Sequence, residues 1–203
     1  MKANKGFTLL EVAVVLAIIA ILAAILTPIA TSYIDQARVT RANSDVKKIS
    51  EGYLLYLRDT GFYPVFKAGD QTAGNPSQNC QVSGTTAALP TGTNHADWAT
   101  DCPATSDIGL IQNYVNLNTL GLSTNQSSSG TAFRGPYLDG LAATDPWSQP
   151  YVVNAKYLSS NNKANWAFAI SGGPNGQLDT DPSQAKSAGT LVTSSDDITS
   201  IIR

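Results

Sequence analysis

An uninterrupted apolar segment lies close to the N-terminus, at residues 7–30, and its only ionisable side chain is Glu11. Because about 20 apolar residues are enough to cross a bilayer as a helix, this segment predicts a transmembrane helix. A cleaved secretory signal fits less well, since such signals have about 7 to 15 apolar residues and a small-residue cleavage site with a polar exit. A carboxylate inside a membrane helix costs about 2.5 to 3.5 kcal/mol, so a plain membrane anchor leaves Glu11 unexplained.

The helical pattern continues beyond the apolar segment in a different form. Apolar residues recur every three or four positions over residues 39–57, which indicates a helix with one buried face. Gly61 and Pro64 follow as signals that end a helix. We therefore predict one helix over residues 8–59, about 78 Å long at a rise of about 1.5 Å per residue. Pro28 removes one of its backbone hydrogen bonds, and two neighbouring threonine hydroxyls are expected to satisfy the freed carbonyl group.

The rest of the chain predicts a small head made of loops and strands. Residues 65–134 are rich in Gly, Ser, Thr and Asn, which indicates mostly loops, with a short helix within residues 108–122. Further on we predict a strand near residues 151–154 that extends towards Leu158, a half-buried strand in "NWAFAIS" and a last strand in "DDITSII". The expected fold class is α+β, with the long helix packed against a small antiparallel sheet.

Composition and charge argue against two classes of function. Charged residues make up 14% of the chain, against about 25% in ordinary soluble domains. There is no basic stripe that could follow a phosphate backbone, so nucleic-acid binding is not expected. The single histidine, His95, has no nucleophile–base arrangement around it, and no phosphate loop, haem-attachment or zinc-ligand spacing is present. We therefore expect neither an enzyme nor an organic cofactor.

The positions of the basic residues and cysteines indicate export. Lys2 and Lys5 stand just before the apolar segment, and positive flanks stay on the cytoplasmic side of a membrane. The remainder of the chain would then reach an oxidising compartment, where the pair Cys80 and Cys102 is expected to form a disulfide. A pair of buried thiols is the alternative. The disulfide would stabilise the fold by about 3 kcal/mol.

The first residues carry a specific resemblance. In "KGFTLLEV" a short basic leader, Gly6, Phe7 and Glu11 resemble, position by position, the processing signature of type IV prepilins. The resemblance implies that a prepilin peptidase cuts after Gly6 and methylates the new amine of Phe7. It also implies a proline where this chain has Pro28. The expected organisation is then a cleaved leader (residues 1–6), a long helix (7–60) and a globular α+β head (61–203). The first half of the helix (7–30) forms the transmembrane segment and filament core, and the head contains the loop-rich disulfide region (65–134).

The head resembles one branch of these proteins. The stretches "SDVKKISEGYLLYLRDTGFYP", "GPYLDGLAATDPWSQPY", "SGGPNG" and "SSDDI" look like the major pseudopilin of type II secretion systems. This likeness covers residues 1–64 and 135–203, whereas residues 65–134 are longer than that family normally carries. A type IV pilin for adhesion or movement is the alternative. A single-pass anchored domain that binds a ligand and never assembles belongs to a different class and stays open.

The resemblance gives Glu11 a role. It implies that the carboxylate meets the Phe7 amine of a neighbouring subunit as helices pack into a filament; the alternative is a carboxylate that snorkels or pairs within its own chain. The implied partners are copies of this chain, the prepilin peptidase, minor pilins, an inner-membrane assembly platform and membrane lipid. Before assembly the subunit would cross the bacterial inner membrane once, with its N-terminus cytoplasmic and its head periplasmic, and afterwards it would form a periplasmic or extracellular filament.

Acidic residues near the C-terminus are a candidate calcium site. Calcium takes six to eight oxygen ligands from flexible loops. The pseudopilin resemblance implies a calcium ion that ties the loop after the last long strand to the chain's end, although Asn175 stands where the family usually has Asp and residues 178–195 look like an insertion. A solvated acidic turn is the alternative. The candidate ligands are Asn175, Asp179, Asp196 and Asp197, with Asp181 in the same acidic set.

Overall fold

The computed structural model describes residues 6–61, 64, 80–84, 88–90, 96–102, 108–111, 134–158 and 163–203. His95 and most of the predicted loop region lie outside the described residues. The chain divides into two compact units, one that ends at Arg38 and one that begins at Val39 and ends at Arg203.

The first unit is dominated by the start of helix α1, which spans Leu9–Thr60. The predicted helix over residues 8–59 is thus confirmed within one residue at each end. Residues 6–41 are exposed throughout, and the helix is long and apolar enough to cross a membrane.

Pro28 lies inside this helix, and its missing N–H deprives the carbonyl group of Ala24 of its usual partner. The Thr27 hydroxyl donates instead to the carbonyl of Ala23 (2.7 Å), and that of Thr31 to the carbonyl of Pro28 (3.0 Å). The expectation that these threonines satisfy the freed carbonyl is therefore wrong. The Thr27 hydroxyl bonds the carbonyl four positions back, that of Ala23, rather than the freed carbonyl of Ala24 three positions back.

The second unit contains a sheet of five strands in the order β2-β1-β3-β4-β5. Strands β1, β3, β4 and β5 pair antiparallel, as predicted, whereas β2 pairs parallel to β1 at one edge. The strands are β1 Cys80–Val82, β2 Ile108–Leu110, β3 Val152–Val153, β4 Phe168–Ser171 and β5 Ile198–Ile201. A short helix α2, Ala96–Asp101, lies between β1 and β2 in the sequence.

Strands β1, β3 and β4 are buried on both faces, and two apolar cores cover them. The first core packs one face of the sheet against the buried stripe of α1, including Val46, Ile49 and Tyr53. The second core covers the opposite face and includes Trp98, Phe168, Ile170, Leu178 and the two cysteines. Strand β4 is therefore buried on both sides, and the prediction of a half-buried strand is wrong. An interior strand covered on both faces becomes apolar throughout, and alternation between large and small apolar side chains does not indicate exposure.

Three local predictions differ from the structure. Strand β3 does not extend to Leu158, because Ala155–Leu158 forms a 3₁₀ helix. Asn154 ends the strand there: its side chain donates to the carbonyl groups of Trp166 (3.0 Å) and Pro182 (2.9 Å) and accepts from the N–H of Phe168 (2.7 Å). Residues 108–110 form strand β2 rather than the start of a helix, and residues 112–122 lie outside the described part. The region predicted as loops contains β1 and α2 as well.

Candidate functional site

The predicted cleavage point lies in an exposed, non-helical segment. Gly6, Phe7 and Thr8 precede the first turn of α1 and have no regular secondary structure. Phe7 is 88% exposed, and a Cβ atom added at Gly6 would meet no atom of the described residues within 4 Å, apart from its chain neighbours. A protease that binds an extended segment could therefore reach the Gly6–Phe7 peptide bond without unwinding the helix.

Glu11 and Thr8 form a capping box at the start of α1. The N–H and the hydroxyl of Thr8 donate to Glu11 Oε2 at 2.8 and 2.9 Å, and the N–H of Glu11 donates to Thr8 Oγ1 at 3.3 Å. Such reciprocal bonds satisfy N–H groups that the first turn of a helix leaves unpaired. The carboxylate is thus paired within its own chain, which is one of the two roles expected from the sequence. Its pairing with a neighbouring chain stays a prediction.

The acidic loop, which we define as residues 173–181 together with residues 194–197, brings the four candidate calcium ligands together. The N–H of Asn175 donates to Asp196 Oδ2 (2.8 Å), and its side-chain amide donates to Asp179 Oδ2 (2.9 Å). Asp197 Oδ2 accepts from the N–H groups of Asp179 (2.9 Å) and Thr180 (2.6 Å). Asp181 does not join this set, because its Oδ1 accepts from the N–H and hydroxyl of Ser183.

A glycine allows the two parts of the acidic loop to approach each other. Gly173 has a φ of +60°, and a Cβ atom at this position would overlap with the backbone carbonyl of Asp196. A larger residue would therefore strain the backbone and push the two parts of the loop apart.

Asp197 is buried, and only one of its two carboxylate oxygens accepts hydrogen bonds from the described residues. Its residue is 8% exposed, and its Oδ1 is buried with no hydrogen-bond partner among the described residues. Burial raises the pKa of this carboxyl from 3.8 to about 6; the hydrogen bonds from Thr180 and Asp179 lower the pKa, and the Asp179 charge raises it. Buried polar atoms are normally satisfied by protein, water or an ion. The Oδ1 atom fits a cation in this respect.

The other oxygens of the acidic loop fit a cation less directly. Asp196 Oδ2 and Asp179 Oδ2 already accept bonds from Asn175. Within the part of the chain that the structure describes, no three His, Cys, Asp or Glu side chains are grouped so as to hold a metal ion. The side-chain oxygen of Asn175 likewise accepts from the N–H of Gln177 (2.7 Å). A bound calcium ion would therefore displace some of these hydrogen bonds and take further oxygens from backbone carbonyl groups, which calcium accepts as ligands.

The two cysteines are joined, as predicted. Cys80 in β1 and Cys102, just after α2, form a disulfide with a Cα–Cα distance of 6.0 Å. Both are buried in the second core. The disulfide therefore ties α2 to the sheet.

Sequence reasoning missed the residues that connect α2 to the rest of the head. The indole N–H of Trp98 donates to the carbonyl of Thr180 (2.8 Å). The carboxylate of Asp101 accepts from Lys156 Nζ and from the Tyr157 hydroxyl, each at 2.6 Å. Trp98 stands in a polar stretch with no periodic pattern, so only its size could have indicated a buried position.

Comparison with known proteins places the N-terminal segment in a known class. The family model of the prokaryotic N-terminal methylation motif matches residues 1–27. The type II secretion system core protein G of Pseudomonas aeruginosa is 39% identical over 80 residues, which cover 37% of this chain and 56% of that protein. A fimbrial protein of Pseudomonas aeruginosa is 53% identical over 49 residues, 24% of this chain and 32% of that protein. The type IV major alpha-pilin of Moraxella bovis is 48% identical over 46 residues, 23% of this chain and 29% of that protein. No solved structure matches the chain.

The methylation motif, the long apolar helix that follows it and the α+β head make the chain similar to one class of protein, the type IV pilins and pilin-like proteins. Within this class it is similar both to a secretion-system core protein and to pilins, and it spans about half the length of the former and about a third of the latter.

Proposed function

We propose that this chain is a structural subunit that polymerises into a type IV pilus-like filament, and specifically the major pseudopilin of a type II secretion system that drives protein export. The observation that carries the proposal is the methylation motif at the start of α1, whose apolar first part is exposed up to residue 41. The similarity to a secretion-system core protein, which covers more of the chain than the similarity to the pilins, supports the finer assignment. The role is structural, not enzymatic.

The exposed half of α1 requires an apolar environment. Every large apolar side chain from Leu9 to Ile34 is exposed. An exposed apolar surface of this extent marks a membrane or protein contact. We propose that it lies in the inner membrane before assembly, with the N-terminus cytoplasmic and the head periplasmic, and against the helices of other copies afterwards. Pro28 would loosen the helix where these copies pack.

Processing changes the charge around Glu11. Cleavage after Gly6 by a prepilin peptidase would leave a positive amine on Phe7, near the carboxylate of Glu11 in the same chain and in its neighbours. Both charges are unfavourable in hydrocarbon unless they are paired. Pairing between neighbours would therefore set the axial position of each new subunit. Minor pilins and an inner-membrane assembly platform are the further partners of this scheme.

The test is Glu11→Leu in the full-length protein. The variant should insert into the membrane at least as well as wild type, because it removes a carboxylate from lipid. Cleavage after Gly6 should continue, while filament assembly should fail, since a broken buried pair costs about 3 to 5 kcal/mol. The measurement is electron microscopy of filaments, with membrane fractionation and N-terminal mass spectrometry. Glu51→Leu makes the same change at an exposed site of α1 and should leave filaments in normal number.

Filaments in normal number from the Glu11→Leu strain would contradict the pairing role. An uncut Met1 in wild-type protein would contradict the filament proposal as a whole and favour the single-pass anchored domain, whereas N-methylated Phe7 supports assembly.

A type IV pilin for adhesion or movement is the second candidate, favoured by the similarity to fimbrial protein and alpha-pilin. A deletion strain scored for both protein export and surface movement separates it from the secretion subunit.

We also propose that a calcium ion binds the acidic loop through Asn175, Asp179, Asp196 and Asp197. The buried Oδ1 of Asp197, which has no hydrogen-bond partner in the part of the chain that the structure describes, supports this proposal. A ligand that binds only the folded state stabilises it by mass action, by about 2.7 kcal/mol at a concentration 100 times Kd. Calcium should therefore raise the unfolding midpoint of the full-length protein in detergent, relative to chelator. Asp197→Asn should lose that shift, and equal midpoints in wild type would mean that the acids are only solvated.

A further inference from the structure

A hydrogen bond joins helix α2 to the acidic loop at Thr180. The indole N–H of Trp98 donates to the Thr180 carbonyl (2.8 Å), and the Thr180 N–H donates to Asp197 Oδ2 (2.6 Å). The Thr180 hydroxyl accepts from the N–H of Ser194 (3.0 Å). Trp98 and Thr180 are both fully buried. The backbone of this one residue therefore connects the indole of α2 to the carboxylate whose Oδ1 has no partner among the described residues.

Apolar contacts hold Trp98 in this position. Its ring packs edge-on against Phe168 of β4, with ring centroids 6.3 Å apart and an interplanar angle of 88°. Leu178 lies in the same core, and the partly buried Leu191 packs against that core. The second core thus joins α2 to the segment that carries the acidic loop, and the hydrogen bond to Thr180 fixes which atoms face each other.

The other end of α2 is fixed twice. The disulfide of Cys102 ties it to Cys80 in the sheet, and Asp101 binds Lys156 and Tyr157 of the 3₁₀ helix. Trp98 is therefore presented from a short helix that is anchored covalently one turn away. Without such anchoring, a six-residue helix is too short to be stable by itself.

We propose that Trp98 is a positioning residue for Asp197: the disulfide-bonded helix α2 holds Thr180 in place, and Thr180 and Asp179 in turn hold the Asp197 carboxylate. The disulfide between Cys80 and Cys102 thereby determines the order of the acidic loop. This positioning does not require a bound ion. Its consequence, that the loss of the Trp98 hydrogen bond weakens calcium binding, rests on the calcium site proposed above.

Two matched variants test the positioning role. Trp98→Phe removes the indole N–H and keeps an aromatic ring in the second core. Trp166→Phe makes the same change beside the same core, but the Trp166 indole N–H has no acceptor among the described residues. Hydrogen exchange of the full-length protein in detergent with chelator, read on peptides that cover residues 178–181, reports the amides of Asp179 and Thr180 that bind Asp197.

We expect Trp98→Phe to speed exchange of these two amides at least about fivefold, the size of effect that one hydrogen bond gives, through local opening. Exchange in α1 around Val46 should stay unchanged, and Trp166→Phe should leave all of these amides as in wild type. Equal exchange in the two variants, whether slow or fast, would overturn the positioning role. Cys80→Ser/Cys102→Ser should open the same amides, and their full protection in that variant would overturn the role of the disulfide.

Calcium titration of the same proteins tests the consequence. The apparent Kd for calcium should rise at least about fivefold in Trp98→Phe and stay at the wild-type value in Trp166→Phe. An equal Kd in both variants would contradict the link between Trp98 and the ion. If wild-type protein binds no calcium, the calcium proposal fails, and hydrogen exchange in chelator still decides the positioning role of Trp98.

Discussion

The carboxyl group of Asp197 makes the stability of the head depend on pH at the scale of a single residue. Its folded pKa of about 6 lies above the ordinary value of 3.8. Folding therefore favours the protonated form, so the contribution of this group is fully present below about pH 4 and is lost as the pH rises through about 6. Between pH 4 and pH 7 we expect the titration of this group to lower the free energy of unfolding of the calcium-free, full-length protein by about 1 to 2 kcal/mol, allowing for solvent screening.

Comparison with Asp197→Asn isolates this effect from all other titrations. The amide keeps the shape of the side chain and cannot ionise. Wild type should therefore lose more unfolding free energy than the variant between pH 4 and pH 7. Denaturant unfolding at the two pH values, both in chelator, provides the measurement. A difference that is the same at both would mean that the carboxyl titrates alike in the folded and unfolded states.

Gly52 allows α1 to approach the segment that contains Leu138. A Cβ atom at Gly52 would lie 2.5 Å from Leu138 Cδ2, which is too close for two carbon atoms. Gly52→Ala gains about 1 kcal/mol of helix propensity, but forcing a methyl group into a packed core costs about 1 to 3 kcal/mol. Because Leu138 is itself buried, we expect the clash to decide the sign and the variant to be destabilised.

A double-variant cycle checks this interpretation. Leu138→Ala should cost about 2 to 5 kcal/mol alone, and Gly52→Ala/Leu138→Ala should lose less than the sum of the single changes, because the second change makes room for the first. Additive losses in thermal or denaturant unfolding would show that the two side chains do not compete for the same space.

Among the elements, α1 could be predicted closely because its signals are local. The apolar periodicity and the glycine that ends it are all within one segment of the chain. Gly61 has a φ of +79°, and its N–H donates to the carbonyl of Leu57 (2.7 Å), which is the left-handed end that the sequence indicated. Only Gly adopts such a conformation without strain.

The short strands could not be predicted in the same way, because their partners are distant in the sequence. Ile108–Leu110 is a strand because it pairs with Cys80–Val82, and that strand pairs in turn with Val152–Val153. A run of three apolar or small residues fits a helix or a strand equally well until its neighbours are known. Tertiary pairing decided the outcome at residues 108–110.

The disulfide is the element that fixes α2, and its removal should destabilise the head. Cys80→Ser/Cys102→Ser should lower the free energy of unfolding by about 3 kcal/mol, because the unfolded chain has more conformational entropy without the cross-link. Urea unfolding of the full-length protein in detergent measures the loss. Thiol labelling of native, unreduced wild-type protein should find no free cysteine, and two labelled thiols would contradict the bond.

At the scale of the whole molecule, the two compact units predict where the chain can be cut. The buried residues of α1 begin with Ala42, and residues 9–38 belong to the first unit. A fragment of residues 39–203 should therefore fold and unfold cooperatively in water, as followed by near-ultraviolet circular dichroism. A fragment of residues 54–203 lacks Val46, Ile49 and Tyr53 of the first core and should not fold, which makes it the matched control. Equal behaviour of the two fragments would contradict the division.

The candidate site could be predicted only in part from the sequence. The resemblance to pseudopilins indicated that Asn175 and the pair Asp196 and Asp197 come together. The N–H of Asn175 donates to Asp196, whereas Asp197 accepts from the N–H of Asp179. The link from Trp98 to Thr180 spans 82 positions and joins two segments for which the resemblance offers no template. Contacts between two added segments have no local pattern, so only the folded chain reveals them.

The second core has a consequence for how this head came about. One side of it is built by α2 and the disulfide, the other by Leu178 and Leu191 in the stretch that looks like an insertion. A lineage that lost either segment would leave Phe168 and Ile170 facing water, which is unfavourable by about 1.5 to 3 kcal/mol for each side chain. We therefore expect the two segments to have been gained together and to be lost together. Among relatives, the cysteine pair should then mark those with a long stretch before the last strand.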